Sequence, residues 1–575
     1  YNVTVGDEAG TAITTGDDNT FIGYASGDAT TTSTGNTAVG RTALSTNIVG
    51  GLSTAVGAYA LATQNPATAT DMYNTGMGYN AGGAVTTGLQ NTLIGALAGD
   101  ALTDADNNIA IGMGALTTDT LGSTSVAIGT DALSAQNFTT ATSTYNTAVG
   151  TSAGQSVTTG INNTIMGGLA GDALTDADAN VAVGKGALTS DTLGSRSVAI
   201  GQSALSAQNF TTATDSYNVA VGYTAGLSIT TGRLNALVGG QVADALTTGT
   251  SNSAFGQNAL GADTAGNNSV AIGDSALRTQ NFTTSTDSYN VAVGVGAGYA
   301  VTTGIHNTLI GGGAGDALTN SSHNVALGYN ALGADTLGAK STALGRSALG
   351  SQNLTTATDT YNTAVGYDAG NAVTTGTLNT FIGGLAGSGN TTGAKNVFIG
   401  PSTGVGTVTG TENVGIGNEA LKDLTSGGGN VTVGETAGAN ITTGSNNVAV
   451  GKLALFTNLA GSGNIAIGQQ ALRVSTGSAN LAIGDSALKA NVGGVSNVAI
   501  GHEAMLTNID GDGNVALGYE ALKTMEPANG LSYNTALGYQ TGALVTTGLY
   551  NTLIGGLAGD ALTDADDNVA IGVVA

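Results

Sequence analysis

One short string constrains this chain more than anything else in it. An Asn, three small or β-branched residues and a Gly, as in Asn146-Thr147-Ala148-Val149-Gly150, form the motif N-x-φ-φ-G, which recurs from residues 2–6 through to residues 568–572. The closing Gly falls at 6, 23, 40, 57, 78, 95 and onward to 572, which makes 33 copies. A chain of 575 residues would ordinarily divide into several globular domains, but stacked copies of one short unit share a thin continuous core instead.

Each copy is treated as a rung numbered from its Asn as p1, so that the Gly is p5. Steps between rungs are 17 residues, and up to Asn362 every fourth step is 21, giving a 72-residue super-repeat of four rungs. From Asn362 the steps are almost uniformly 17, with one of 16 before Asn480 and one of 20 before Asn534. The chain therefore divides by rung style into 1–361, built of super-repeats, and 362–575, plainer rungs continuing the same array. Both ends fall inside the repeat and Tyr1 stands where an initiator Met would, so the chain reads as a segment of a longer polypeptide.

Within a rung, p1 to p4 is short and β-branched, Gly punctuates it, a second segment follows around an Ala at p8, and Thr-Thr-Gly or a relative closes the turn. No apolar spacing of helical period persists. The pattern predicts an all-β parallel β-solenoid in which each rung supplies strands to sheets running along the axis, with Gly at the corners. At the usual interstrand spacing the rungs would stack to roughly 155 Å. Asn occupies 28 of the 33 p1 positions, the others being Ser53, Ser125, Ser197, Ser269 and Ser341. Two readings of that Asn stand side by side: a rung-to-rung hydrogen-bonded ladder, or its preference for turns.

Successive strand residues face opposite ways. Position p4 is Val, Ile, Leu, Met or Phe throughout, which assigns it to the interior of the roll. Position p3 should then face outward, yet it is also apolar, as Ala148, Ala199 and Ala220 and, in bulkier rungs, Ile165, Leu309 and Phe381. A strand apolar on both faces is covered on both faces. The expected cover for these p3 residues is another copy of the chain.

The rung resembles known repeats. Ser197-Val198-Ala199-Ile200-Gly201 and Asn497-Val498-Ala499-Ile500-Gly501 match the repeats of YadA-like trimeric autotransporter heads, although those rungs are usually shorter. Asn362-Thr363-Ala364-Val365-Gly366-Tyr367 and residues 514–522, NVALGYEAL, are similar to the NTAVGYxAL repeats of phage tail-fibre-like proteins. The resemblance implies a left-handed β-roll assembled as a parallel homotrimer.

Composition narrows the partners. With 38 acidic against 13 basic residues the net charge is −25, which argues against nucleic acid and anionic membranes. No apolar run reaches the length of a membrane span. The absence of Cys removes disulfides from the account, and stacking takes their place.

No catalytic set emerges. His306, His323 and His502 are far apart in sequence, lack metal-ligand company and read as surface or turn residues. Glycine runs such as Gly311-Gly312-Gly313 precede no phosphate-binding Lys-Ser/Thr. The D-A-L-T-D-A-D turns place Asp104 and Asp106, Asp176 and Asp178, and Asp564 and Asp566 two apart, a spacing that can share Ca²⁺, but a solvated acidic turn is the preferred reading. Thr159, Thr231, Thr303 and Thr375 recur as an ice-binding array would, but the intervening rungs interrupt them. The 21-residue rungs carry paired aromatics, Phe138 with Tyr145, Phe210 with Tyr217 and Phe282 with Tyr289. They form either a surface-contact stripe or rings folded back over the edge of the roll. Their Asn-Phe-Thr strings also read as glycosylation sequons.

These features predict a non-enzymatic fibre shaft, most simply a tail-fibre-like virion appendage that attaches to a host-surface glycan or protein. The alternatives are the head or stalk of a trimeric bacterial surface adhesin and a self-assembling extracellular filament.

Overall fold

The structure, a computed structural model, describes residues 1–527 and 530–575. Two compact units, residues 1–289 and residues 290–575, account for these residues. Each is a parallel β-solenoid. Among the described residues the first holds sixteen three-residue strands, from Val3–Val5 to Val270–Ile272, and the second holds seventeen, from Val291–Val293 to Val569–Ile571. Every strand is p2 to p4 of a rung, and pairing is in register: Thr147 lies beside Thr164, Ala148 beside Ile165 and Val149 beside Met166. The predicted solenoid of about 33 turns, mostly 17 residues each, is the observed architecture.

The p1 Asn forms a ladder. Asn146 is buried, its Oδ1 accepts the backbone N–H of Asn163 at 2.9 Å, and its Nδ2 donates to the carbonyl of Gly160 at 2.7 Å. Asn163 repeats the arrangement with Asn180 and Ala177. The ladder therefore joins side chain to backbone, and one Asn both spaces the next rung and closes its own turn.

Glycine at p5 answers to two demands at once. Its φ lies between 127° and 147° in every rung, in a region that L side chains rarely adopt. A Cβ on Gly150 would also sit 2.6 Å from the carbonyl of Gly167 in the next rung.

The second segment is not a strand. Residues 151–156 form successive turns in which Ser152 at p7 is left-handed, and so is Leu188 at p9 of residues 180–196. Alternating left-handed residues curl the chain too tightly for an extended strand, although rung-to-rung bonds persist, such as Gly154 N–H to the Ala170 carbonyl at 2.9 Å.

The two faces of the strand are the reverse of the expectation. Ala148, Ala199, Ala220, Ile165, Leu309 and Phe381 at p3 are fully buried within their own roll, whereas p4 faces out, half-exposed at Val149 and exposed at Ile200, Met166 and Phe255. These p3 residues are therefore core residues of a single chain and have no surface left for interchain packing. Alternation distinguishes the faces without saying which is inside, and ranking them by size picks the wrong one. The interior is narrow, and the left-handed p9 residue fills it from the opposite side: Leu188 lies in the rung of Ala182, and Leu205 in that of Ala199. Where p3 is large, p9 is small, as with Ile165 and Gly171 or Phe381 and Gly387. The compensation also crosses rungs. A Cβ on Gly154 would come within 2.9 Å of Ile165 in the following rung and 3.0 Å of Leu133 in the preceding one.

Candidate functional site

The extended rungs are where the sequence departs most from its own pattern, and their extra residues build a second feature beside the main sheet. In residues 125–145, Thr142–Ser143 pairs in parallel with Gly122–Ser123 of the rung before. The same two-strand patch recurs between Gly194–Ser195 and Thr214–Asp215, and between Gly338–Ala339 and Thr358–Asp359.

The paired aromatics separate. Phe138, Phe210 and Phe282 are buried at 6% exposure, and Leu354 takes the equivalent place in the fourth copy. Tyr145, Tyr217 and Tyr289 are exposed, at 63%, 49% and 52%. The Phe rings thus follow the folded-back reading and are not surface contacts, because the Phe138 backbone N–H is anchored to Asp119 beneath the loop, at 3.1 Å. Only the Tyr column remains on the surface. The Arg196 guanidinium stacks over Tyr217, 5.6 Å from the ring centroid, and pairs with Asp215. Lys340 repeats this over Tyr361, at 5.1 Å, with Asp359 at 2.6 Å.

Beneath each extended rung lies a buried polar network that sequence reasoning missed. Asp119 is fully buried. Its Oδ1 accepts the N–H groups of Gly122 at 3.0 Å and Phe138 at 3.1 Å, and its Oδ2 accepts from Gln136 Nε2 at 2.6 Å. The Gln136 amide also donates to Ser125 Oγ at 2.8 Å, and its Oε1 accepts from Asn146 Nδ2 at 2.9 Å. Ser125 shares a 2.6 Å hydrogen bond with Thr144. Ser replaces Asn at p1 here, and the inserted Gln takes over part of the missing amide's work. Asp191 with Gln208 and Ser197, Asp263 with Gln280 and Ser269, and Asp335 with Gln352 and Ser341 repeat the set. Burial pushes the carboxyls of Asp263 and Asp335 above the ordinary carboxylate value, against the opposing pull of the Gln amides and backbone N–H groups. The legible signal was D-T-[LA]-G seventeen residues before a Gln.

The Asp119 network closes on itself within the chain. Both carboxylate oxygens of Asp119 accept from donors of the same chain, and the first copy replaces Asp with Asn47, which satisfies Gly50 N–H at 3.0 Å in the same way. The network positions loops.

The acidic turns are likewise occupied with their own backbone. Asp106 Oδ1 accepts the Leu89 N–H at 2.7 Å, Asp178 the Ile161 N–H at 2.8 Å and Asp566 the Leu549 N–H at 2.8 Å. Asp104 and Asp176 accept from Thr87 and Thr159, and Asp564 from Thr563. Each carboxylate of the first two turns caps the turn one rung away. Among the described residues no group of three or more His, Cys, Asp or Glu is disposed to hold a metal ion.

Two histidines treated as distant in sequence are neighbours in space. His306 and His323 stand one rung apart and stack at 4.9 Å, both exposed, while His502 begins a stack with Tyr519 and Tyr539 at 5.1 and 5.3 Å. Thr159, Thr231, Thr303 and Thr375 are exposed and four rungs apart.

In each unit the outward face of the sheet is apolar and exposed. In the first unit it carries Ile22, Met77, Ile109, Met166, Ile200, Phe255 and Ile272, and in the second Leu327, Leu344, Ile382, Ile416, Ile467 and Leu517, all exposed. Large contiguous apolar patches on a surface are a mark of interaction sites. No family model matches the chain, and no curated protein matches it. The likeness to adhesin and tail-fibre repeats therefore rests on the rung motif alone.

Proposed function

We propose that this chain is a non-enzymatic fibre shaft that self-associates side by side, most simply as a parallel homotrimer with a left-handed roll, in a tail-fibre-like virion appendage for host-surface attachment. One observation carries the reading: rung after rung, both units present an apolar p4 on the open face of a parallel sheet. Parallel sheets are ordinarily covered on both faces. The argument for a partner chain thus survives the reversal of p3 and p4, with p4 as the contacting position.

Three further observations support a structural role over a catalytic one. The buried polar groups of the extended rungs satisfy one another. The acidic turns cap backbone amides. The rungs of each unit, at the usual strand spacing, extend it by roughly 80 Å, a form suited to reach. The exposed Tyr column, with Tyr145 and Tyr217, is the face offered to a surface glycan or protein receptor. A bacterial trimeric surface adhesin is the second reading, favoured by the residue-for-residue motif match at Ser197 to Gly201.

Substitutions on the two strand faces test the proposal. Val149→Lys, Ile200→Lys and Val221→Lys together, on the outward face, should leave the circular dichroism of a folded β-solenoid and reduce the mass in solution to that of one chain. Ala148→Glu, Ala199→Glu and Ala220→Glu, on the buried face, should unfold the region, since an unpaired buried charge costs several kcal/mol. Outward-face variants that keep an oligomeric mass would overturn the assignment of p4 as the contact.

A further inference from the structure

The second unit contains one rung of sixteen residues, 464–479. Of the four buried side-chain atoms that lack a hydrogen-bond partner among the described residues, three lie in this rung: Gln470 Oε1, Arg473 Nε and Ser475 Oγ. The shortened rung and these unpartnered atoms thus coincide in sequence. Alongside runs a cleft of about 440 Å³ across three consecutive rungs, lined by Arg473, Val474, Lys489, Val492, Leu506 and Ile509.

The lining departs from the pattern of the chain in two ways. Position p13 is Thr in most rungs, as in Thr158, Thr175, Thr425 and Thr442, but Val492 and Ile509 occupy it here. Lysines at p10 elsewhere in this unit are neutralised, Lys422 by Glu419 and Lys523 by Glu503 and Glu520. Arg473 and Lys489, also at p10, have no carboxylate partner among the described residues. In a chain of net charge −25, two unpaired cations beside an apolar wall are a local reversal of the surface.

The geometry points to a binding site for a free single-chain amphipathic anion, an alkyl carboxylate, with its hydrocarbon along Val474, Val492, Leu506 and Ile509 and its headgroup between Arg473 and Lys489. A small inorganic anion, with no hydrocarbon to lay along the apolar wall, would gain only partly screened contacts at these half-buried cations. An uncharged tail would have no reason to prefer this cleft to the open p4 face. The net charge repels an anionic bilayer, so the occupant is a soluble amphiphile. This inference is independent of the fibre reading.

Calorimetric titration of the intact chain with decanoate below its micellar range tests it, with acetate and decyltrimethylammonium as comparators. Decanoate should bind saturably at one site, and both comparators should fail to do so. Arg473→Gln with Lys489→Gln should weaken decanoate by about tenfold or more, the worth of a charge-assisted contact. Val492→Thr with Ile509→Thr, which restores the Thr column, should abolish binding with the thermal midpoint unchanged. Should that pair fail to fold, the cation pair decides alone. Wild-type affinity in the Gln variants, equal binding of the cationic amphiphile, or no binding of decanoate would each overturn the proposal.

Discussion

At the scale of single residues, two positions carry opposite lessons about what the fold tolerates. Gly150 combines a φ of 140° with direct contact to the next rung's carbonyl, so Gly150→Ala meets both strain and collision. Strain alone costs about 1–3 kcal/mol. The substitution should lower the denaturant midpoint by at least that much, whereas Gly556→Ala, where a Cβ would meet open space, should be nearly neutral. Asp263 is the converse, a residue whose ionised form the fold opposes at neutral pH. Burial raises its folded-state pKa above the ordinary value of 3.8, so the folded state holds the proton more tightly than the unfolded one. Stability therefore falls as pH rises from about the unfolded value through the folded one, and the loss persists at neutral pH. Asp263→Asn should raise the melting midpoint at neutral pH, with the gain shrinking as pH falls toward 3.8 and below. Asn47, which bonds Gly50 N–H and carbonyl at 3.0 and 2.7 Å beside Gln64, shows that an amide fits the equivalent place. A midpoint that is lower in the variant at every pH would contradict this.

At the scale of the rung, the unit of packing is larger than the unit of repetition. Gly154 is vacant because Ile165 and Leu133, from the rungs on either side, both lean into its space, and Gly370 stands in the same relation to Phe381 and Leu349. The rungs of a super-repeat thus have a fixed order. Ile165→Ala should cost about 2–5 kcal/mol as an unfilled cavity, and Gly154→Leu alone should be destabilising through overpacking, about 1–3 kcal/mol. Combined, the large residue at p9 replaces the one lost at p3. The double variant should recover part of the Ile165→Ala loss, as urea unfolding of all three would show. How far the sequence disclosed this can be argued from the same residues. The spacing of Asn146, Gly150 and Gly160 was enough to predict rung, register and turn. The choice between Ala148 and Val149 as the inner residue was not, because it depends on Leu133 and Ile165 arriving from other rungs. Leu188 in a left-handed conformation was equally invisible, since Leu carries no local signal for it. Asp119 resembled any other turn residue until the loop that ends at Tyr145 was seen to close over it.

At the scale of the whole molecule, the functional reading depends on the outward faces of two solenoid units and on the Tyr column of their extended rungs. Apolar residues on both faces of one strand were legible in the sequence, and with them the need for a cover. The identity of the covering surface was not legible, because it lies in a second molecule. The split between buried Phe138 and exposed Tyr145 narrows the candidate receptor face to the tyrosines. The central claim is that p4 of one chain packs on another, and sedimentation equilibrium of the intact chain tests it most directly. The account predicts a single folded species at three times the chain mass that persists on dilution. A folded species at the mass of one chain, with the p4 face left open to water, would contradict it.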